Sequence, residues 1–252
     1  MKTALLHLDI QWANPLENIR RAERLIKAAP DAQLYVLPEM WSTGFAVEPR
    51  GIAEDEESSA ALEWMRQTAR DRRCAICGSL AVKTHDGLYR NRHYFVKPDS
   101  IDYYDKHHLF SYGHENRYFA AGQKHTVVEW QGMRFLLLTC YDLRFPVWSR
   151  YGRAGEYDAI VYVANWPQSR QAAWEVLVHA RAIENQCYVL AVNRVGHDEK
   201  ADYAGGTMLI DPIGRTKAIC TENAEQPLVA ALSMEELIKA RTRFRVLDDR
   251  DV

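Results

Sequence analysis

The chain has 252 residues, 47% apolar and 26% charged, with a formal net charge of −2. That is an ordinary globular composition, long enough to bury a large core without disulfide staples. The near-neutral balance, with no run of Lys and Arg, argues against a nucleic-acid partner, and five scattered cysteines suit a reducing compartment better than a disulfide framework.

In chain order, short β-rich runs alternate with amphipathic helices. The apolar opening of residues 1–6 is broken by His7 and Asp9, with no small-residue cleavage site, so no secretory leader is expected. The apolar runs at 135–138 and 160–164 are far too short to span a bilayer, so a soluble, cytoplasmic protein with no membrane partner is expected. A strand is predicted over 3–10. A helix follows over 15–29, where Leu16, Ile19, Ala22, Leu25 and Ile26 recur at helical spacing behind Asn14 as candidate N-cap. Next come a strand over 32–37 and a helix over 58–72, with Leu62, Met65 and Ala69 on one face. Strands are then expected over 75–82, 89–96, 101–104, 127–130, 135–139 and 159–164. The longest helix is expected over 168–184, followed by strands over 189–195 and 206–210 and a short helix over 233–240. Turn signals at Asp86-Gly87, Lys97-Pro98-Asp99-Ser100, Gln131-Gly132 and Asp211-Pro212-Ile213-Gly214 predict hairpins, hence a mixed sheet. With no repeat and no linker, one α/β domain over residues 1–252 is the economical reading.

Cys74 and Cys77 form a C-x-x-C pair. A redox pair would open a helix, where the dipole lowers a thiol pKa, and a zinc site would need further ligands. Here the pair sits in a run that reads as a strand, so both are expected to be core cysteines.

Three segments share one form: an apolar strand that ends in a reactive side chain, the place where ligands bind open α/β sheets. Leu34-Tyr35-Val36-Leu37-Pro38 delivers Glu39, a carboxylate beside a core strand and suited to general-base work. Tyr103-Tyr104-Asp105 delivers Lys106, a fixed cation able to stabilise a thiolate or an oxyanion. The neighbouring His107 and His108 are expected to be structural. Phe135-Leu136-Leu137-Leu138-Thr139 runs into Cys140, in the manner of a nucleophile elbow at a strand-to-helix turn. Such a turn leaves the backbone N–H of Tyr141 as an oxyanion donor.

Pro38-Glu39-Met40, then Asp105-Lys106-His107-His108-Leu109-Phe110, then Cys140-Tyr141-Asp142-Leu143-Arg144-Phe145-Pro146 resemble, in order and spacing, the motifs of the nitrilase superfamily of carbon–nitrogen hydrolases. The resemblance runs over essentially the whole chain. It implies an α-β-β-α sandwich whose protomers pair as a homodimer through sheet-flanking helices, with no metal and no organic cofactor. It makes Glu39 the general base, Lys106 the oxyanion cation and Cys140 the nucleophile, and it matches the family's second glutamate to Glu115. Trp41-Ser42-Thr43-Gly44-Phe45, Tyr162-Val163-Ala164-Asn165-Trp166-Pro167 and Arg181-Ala182-Ile183-Glu184-Asn185-Gln186 look like the ω-amidase branch. Tyr-Asp after the cysteine is similar to amidases, whereas true nitrilases usually carry Trp-Glu. The implied reaction is hydrolysis of the terminal amide of 2-oxoglutaramate or 2-oxosuccinamate. An N-carbamoyl amidase, a general aliphatic amidase and a non-catalytic binding member are the alternatives. Arg144 and Arg170 are candidates for the substrate carboxylate, and Phe45, Tyr112 and Trp166 for the pocket wall.

Overall fold

The computed structural model describes residues 1–251. Among them the first sheet forms from β1 (Lys2–His7), β2 (Leu34–Val36), the two-residue β3 (Glu54–Asp55), β4 (Ala75–Lys83), β5 (Tyr89–Val96) and β6 (Ile101–Asp105). Two helices interrupt it, α1 (Pro15–Ala28) and α2 (Ala60–Arg72). The second sheet takes β7 (Val127–Trp130), β8 (Met133–Thr139), β9 (Ala159–Ala164) and β10 (Tyr188–Asn193), with the one-turn α3 (Pro146–Ser149) and the long α4 (Gln171–Asn185) between them. A small hairpin, β11 (Gly196–His197) and β12 (Asp202–Tyr203), precedes β13 (Met208–Ile210) and β14 (Thr216–Ile219), which finish the second sheet. The chain then returns to the first sheet as β15 (Gln226–Ala231) and continues through α5 (Met234–Arg243) to a 3-10 turn, Val246–Asp249. The first sheet runs β15-β1-β2-β4-β5-β6, with β3 beside β4, and the second runs β14-β13-β10-β9-β8-β7.

Period-two alternation explains the layers. Along β1, Ala4 and Leu6 pack outward with Leu25 and Ile26 of α1 and Met65 and Ala69 of α2, while Leu5 faces the other sheet. Along β4, Ile76, Leu80 and Val82 join the helices, and Ala75 and Cys77 face inward. Phe95 of the first sheet meets Phe135 of the second at 5.9 Å between ring centroids. On the far side, Trp174, Val178 and Ala182 of α4 join the core formed with the second sheet. The result is helices, sheet, sheet, helices, the α-β-β-α order expected from the resemblance.

The helix caps follow local chemistry. The Asn14 side chain accepts from the Glu17 N–H at 3.2 Å, and the Ser59 hydroxyl from the Leu62 N–H at 3.0 Å. Several boundaries differ from the sequence reading by a few residues, two of them for a visible physical reason. The helix expected over 168–184 opens as a 3-10 turn, Gln168–Arg170, before α4. The strand expected from 206 starts at Met208, because Gly205 and Gly206 hold φ of +97° and +79°. A Cβ on Gly205 would lie 1.7 Å from His7 Nε2, so the backbone can pass there only as glycine. The sequence reading also omits β3, β14, β15 and the β11–β12 hairpin. Of these β15 matters most, since its antiparallel pairing with β1 (Lys2↔Ala231 to His7↔Gln226) ties the two ends of the chain into one sheet. No helix among the described residues is long and apolar enough to cross a membrane.

Candidate active site

Each reactive side chain leaves the end of a strand that the sandwich has buried. Past β2 the chain stays strapped to β4: Leu37 N–H donates to the Cys77 carbonyl at 2.7 Å, and Met40 N–H to Ser79 Oγ at 2.9 Å. Glu39 is thereby fixed with no exposed surface, next to Met40 in the left-handed region at φ +42°. Lys106 follows β6 directly; its N–H donates to the Asn91 carbonyl at 3.0 Å, and its own carbonyl accepts from Gly122 N–H at 3.0 Å. Gly122 must be glycine, because a Cβ would sit 2.0 Å from the Asp105 carbonyl oxygen. Glu115 begins a 3-10 turn, Glu115–Arg117, and closes the loop on itself by accepting the Phe110 N–H at 2.6 Å.

Cys140 is the first residue of a 3-10 turn, Cys140–Arg144, with φ +43°. The expected elbow is therefore present with one correction: the strand turns into 3-10 geometry, and the α-helical turn α3 begins only at Pro146. A non-glycine residue in the left-handed region costs roughly 1–3 kcal/mol and persists where its surroundings over-determine it. The Tyr141 N–H stands at the start of this turn, where no intrahelical acceptor is available.

The three charged groups converge without exposure to solvent. Lys106 Nζ lies 2.8 Å from Glu39 Oε1 and 2.8 Å from Glu115 Oε2, all three side chains being buried. Asn91 Nδ2 donates to both carboxylates, at 2.8 Å to Glu39 Oε1 and 3.0 Å to Glu115 Oε1. Asn165 completes the hold on Glu39, its backbone N–H donating to Oε2 at 2.9 Å and its Nδ2 to the Glu39 carbonyl at 2.7 Å. Burial alone would lower the Lys106 pKa, but Glu115 and then Glu39 overcome it and push it up, so the ammonium is permanent. Burial raises the Glu115 pKa, with Lys106 pulling the other way. The Cys140 thiol is pushed well above its usual range by burial and then by Glu39, against the opposing pull of Lys106. At rest the sulfur is therefore a thiol.

Above Cys140 opens a cavity of about 670 Å³. Phe45, Tyr112, Arg144 and Trp166, the four residues expected to meet substrate, all line it, as does Arg170. Trp166 is buried, whereas Tyr112 is 79% exposed at the mouth. Arg144 lies over the Trp166 ring at 5.0 Å, and Arg170 over Phe110 at 5.4 Å. Lys200, from the β11–β12 hairpin, adds a third cation to the lining. Among the described residues no ion pair engages Arg144, Arg170 or Lys200, whereas buried arginines such as Arg92 and Arg181 each meet a carboxylate.

The remaining sequence expectations divide cleanly. Cys74 and Cys77 are buried, and burial raises both thiols, Cys74 to about 11, so neither has the lowered pKa of a redox pair. His107 and His108 are structural: the first stacks on Trp148 at 3.7 Å, and the second on Phe145 at 3.8 Å while its Nδ1 meets Asp142. Sequence reasoning assigned no role to Asn91 or Asn165. A usable signal existed for both: Asn is disfavoured in strands, yet Asn91 lies inside β5, and Asn165 ends β9 just as Cys140 ends β8.

Comparison with known proteins finds relatives over the whole chain. The sequence model of the carbon–nitrogen hydrolase family covers residues 2–242. The chain is 40% identical over 253 residues to the ω-amidase YafV of Yersinia enterocolitica, covering 100% of this chain and 97% of that one. It is 35% identical to the 2-oxoglutaramate amidase of Bacillus subtilis, covering 97% of this chain and 95% of that one. Among solved structures, a hydrolase-superfamily protein of Xanthomonas campestris, crystallised with an arsenic adduct in its active site, superposes with a TM-score of 0.94 at 36% identity, covering 100% and 97% of the two chains.

Proposed function

The chain belongs to the carbon–nitrogen hydrolase family, and we propose that it hydrolyses the terminal amide of a small 2-oxo-dicarboxylic acid monoamide, 2-oxoglutaramate or 2-oxosuccinamate. The products are the dicarboxylate and ammonia, and the intermediate is a thioester on Cys140. One observation carries the reading: Lys106 is clamped between Glu39 and Glu115 under a cavity that leads past Cys140 to Arg144, Arg170 and Lys200, cations without carboxylate partners among the described residues. The kinship to ω-amidases supports it.

The geometry supports the following steps. Because the resting sulfur is protonated, attack needs a base at hand, and Glu39 is close enough to raise the thiol's pKa. Glu39 takes the thiol proton as the sulfur attacks the amide carbon. The carbonyl oxygen becomes an oxyanion, received by the Lys106 ammonium and the Tyr141 N–H. Glu39 and Glu115 occupy two directions around the ammonium, which leaves one of its three N–H donors for that oxygen. Collapse breaks the C–N bond, and Glu39 returns the proton to the departing ammonia. Glu39 then deprotonates a water that attacks the thioester, and the released thiolate recovers its proton. Glu115 holds Lys106 in place throughout and, with Asn91, fixes the angle of Glu39.

The far end of the substrate is read by charge. An arginine fork matches a carboxylate bidentately, and the aromatic lining excludes water from the chain between the two polar ends. A panel of 2-oxoglutaramate, glutamine, an N-carbamoyl amino acid and a plain aliphatic amide, followed by ammonia release, tests the assignment. The highest kcat/KM is expected on 2-oxoglutaramate. A carbamoyl or uncharged amide turned over faster would keep the chemistry and discard the substrate.

The same reading extends to assembly and location. Two copies pair through the α3 and α4 side of the sandwich, where Val147, Val176 and Ile183 are more than half exposed, a density of apolar surface that pairing would cover. The five cysteines are all free, which suits a reducing cytoplasm.

A further inference from the structure

A single buried carboxylate, that of Asp142, ties the segment carrying Lys106 to the segment carrying Cys140. Its Oδ2 accepts the Thr139 N–H at 3.0 Å and the Tyr104 hydroxyl at 2.8 Å. Its Oδ1 accepts the His108 backbone N–H at 3.0 Å and meets the His108 ring Nδ1 at 2.9 Å. A carboxylate offers about four acceptor sites, so all of them are taken. Facing a group that only accepts, Nδ1 carries the imidazole proton.

The placement of these partners in the chain is what gives them meaning. Thr139 and Asp142 bracket Cys140 and Tyr141, so the Thr139–Asp142 bond is a strap across the elbow that holds Cys140 at its positive φ. Tyr104 and His108 stand two residues before and two residues after Lys106. The outer contacts are fixed as well. The Tyr104 hydroxyl accepts from the His107 N–H and from Trp148 Nε1, both at 3.0 Å, and the His108 ring is stacked on Phe145.

We propose that Asp142 is a positioning residue for the hydrolysis: acting through His108 and Tyr104, it registers the Lys106 ammonium and the Tyr141 N–H against the Cys140 sulfur, without touching substrate. This rests on the reading of Cys140 as nucleophile and Lys106 as oxyanion cation. Misplacing reacting groups by an ångström can cost on the order of 100-fold in rate while leaving the binding pocket intact.

The test uses Asp142→Asn, which keeps the shape but turns an amide NH₂ toward two of the four donors, with His108→Leu and His108→Asn. The asparagine at 108 offers an N–H near the position of imidazole Nδ1. kcat and KM on 2-oxoglutaramate, the iodoacetamide alkylation rate of Cys140 and the thermal midpoint are read for each. The expected pattern is a kcat lower by roughly 10- to 100-fold in Asp142→Asn and about 10-fold in His108→Leu, with KM within about 3-fold of wild type and most of kcat regained in His108→Asn. Altered alkylation should accompany the loss. A wild-type kcat in Asp142→Asn or His108→Leu, a rise in KM alone, or an asparagine no better than leucine at 108 would overturn the proposal. Should Asp142→Asn not fold, the His108 pair decides, since that side chain is 21% exposed and its replacement leaves the core intact. Wild-type turnover that vanishes in Cys140→Ala tests the underlying site reading separately.

Discussion

Lys106→Ala perturbs the site at its electrostatic centre. The ammonium lies 2.8 Å from an oxygen of each of two carboxylates, and none of the three groups reaches solvent. At charge separations of about 4 Å and an effective dielectric of about 20, each attraction is worth about 4 kcal/mol. The variant loses both but is spared the desolvation of the ammonium, which offsets several kcal/mol. Removing one partner of such a buried group typically costs about 3–5 kcal/mol of stability. The two remaining carboxylates, which share Asn91 Nδ2 as donor, cannot both stay ionised in the dry site, so one takes up a proton. Catalysis then loses its oxyanion donor, about 3–4 kcal/mol or a few hundredfold to a thousandfold, and for part of the population its general base. Steady-state ammonia release, with circular dichroism and a thermal melt to establish folding, measures both effects. The reasoning is refuted if the folded variant retains kcat/KM within about 10-fold of wild type, or if its stability is unchanged.

Three further outcomes are expected. Glu39→Gln keeps the shape of the site but should lower kcat by at least about 100-fold, because both half-reactions need its proton transfer; turnover near wild type would remove it as the base. Arg144→Ala should raise KM for 2-oxoglutaramate, lowering kcat/KM by about 10- to 100-fold through loss of a charged hydrogen bond, and should leave an uncharged amide nearly unaffected; equal losses on both would make Arg144 structural. Burial lowers the pKa of His7 to about 4 and of His93 to about 3. With depressed folded values, each contributes stability that is full above the unfolded pKa of about 6.5 and is lost as pH falls toward the folded value. Denaturant titrations should therefore show stability falling by roughly 2–3 kcal/mol per pH unit between 6 and 4, from two protons taken up on unfolding, and His93→Gln should flatten the slope by about half.

What the sequence reveals and hides follows from the range of the interactions. Glu39, Lys106 and Cys140 are legible because each ends an apolar strand, a local pattern. The cavity residues Phe45, Tyr112, Arg144 and Trp166 follow from the motifs beside them, and the structure brings them to one cavity. Asn91 and Asn165 escape because the carboxylate they serve is 52 and 126 residues away in the chain, a relation no local pattern carries. Asp142 is visible as a motif letter, but its partners Tyr104 and His108 lie across the sandwich. The strand β15 is missed for a related reason. It holds Pro227 and is only half-buried at a sheet edge, where proline is tolerated, and its pairing with β1 joins opposite ends of the chain. Helix α4 starts three residues later than the sequence pattern predicts, because the 3-10 turn Gln168–Arg170 continues the same polar composition.

The central claim is that Cys140 carries the acyl group between two half-reactions run by one glutamate. It is tested most directly by mixing wild type and Cys140→Ala with 2-oxoglutaramate, quenching in acid, and reading ammonia together with the intact protein mass. The account predicts ammonia release and a transient adduct mapping to Cys140 in the wild type, with neither in the variant. Ammonia release that survives in Cys140→Ala would contradict it.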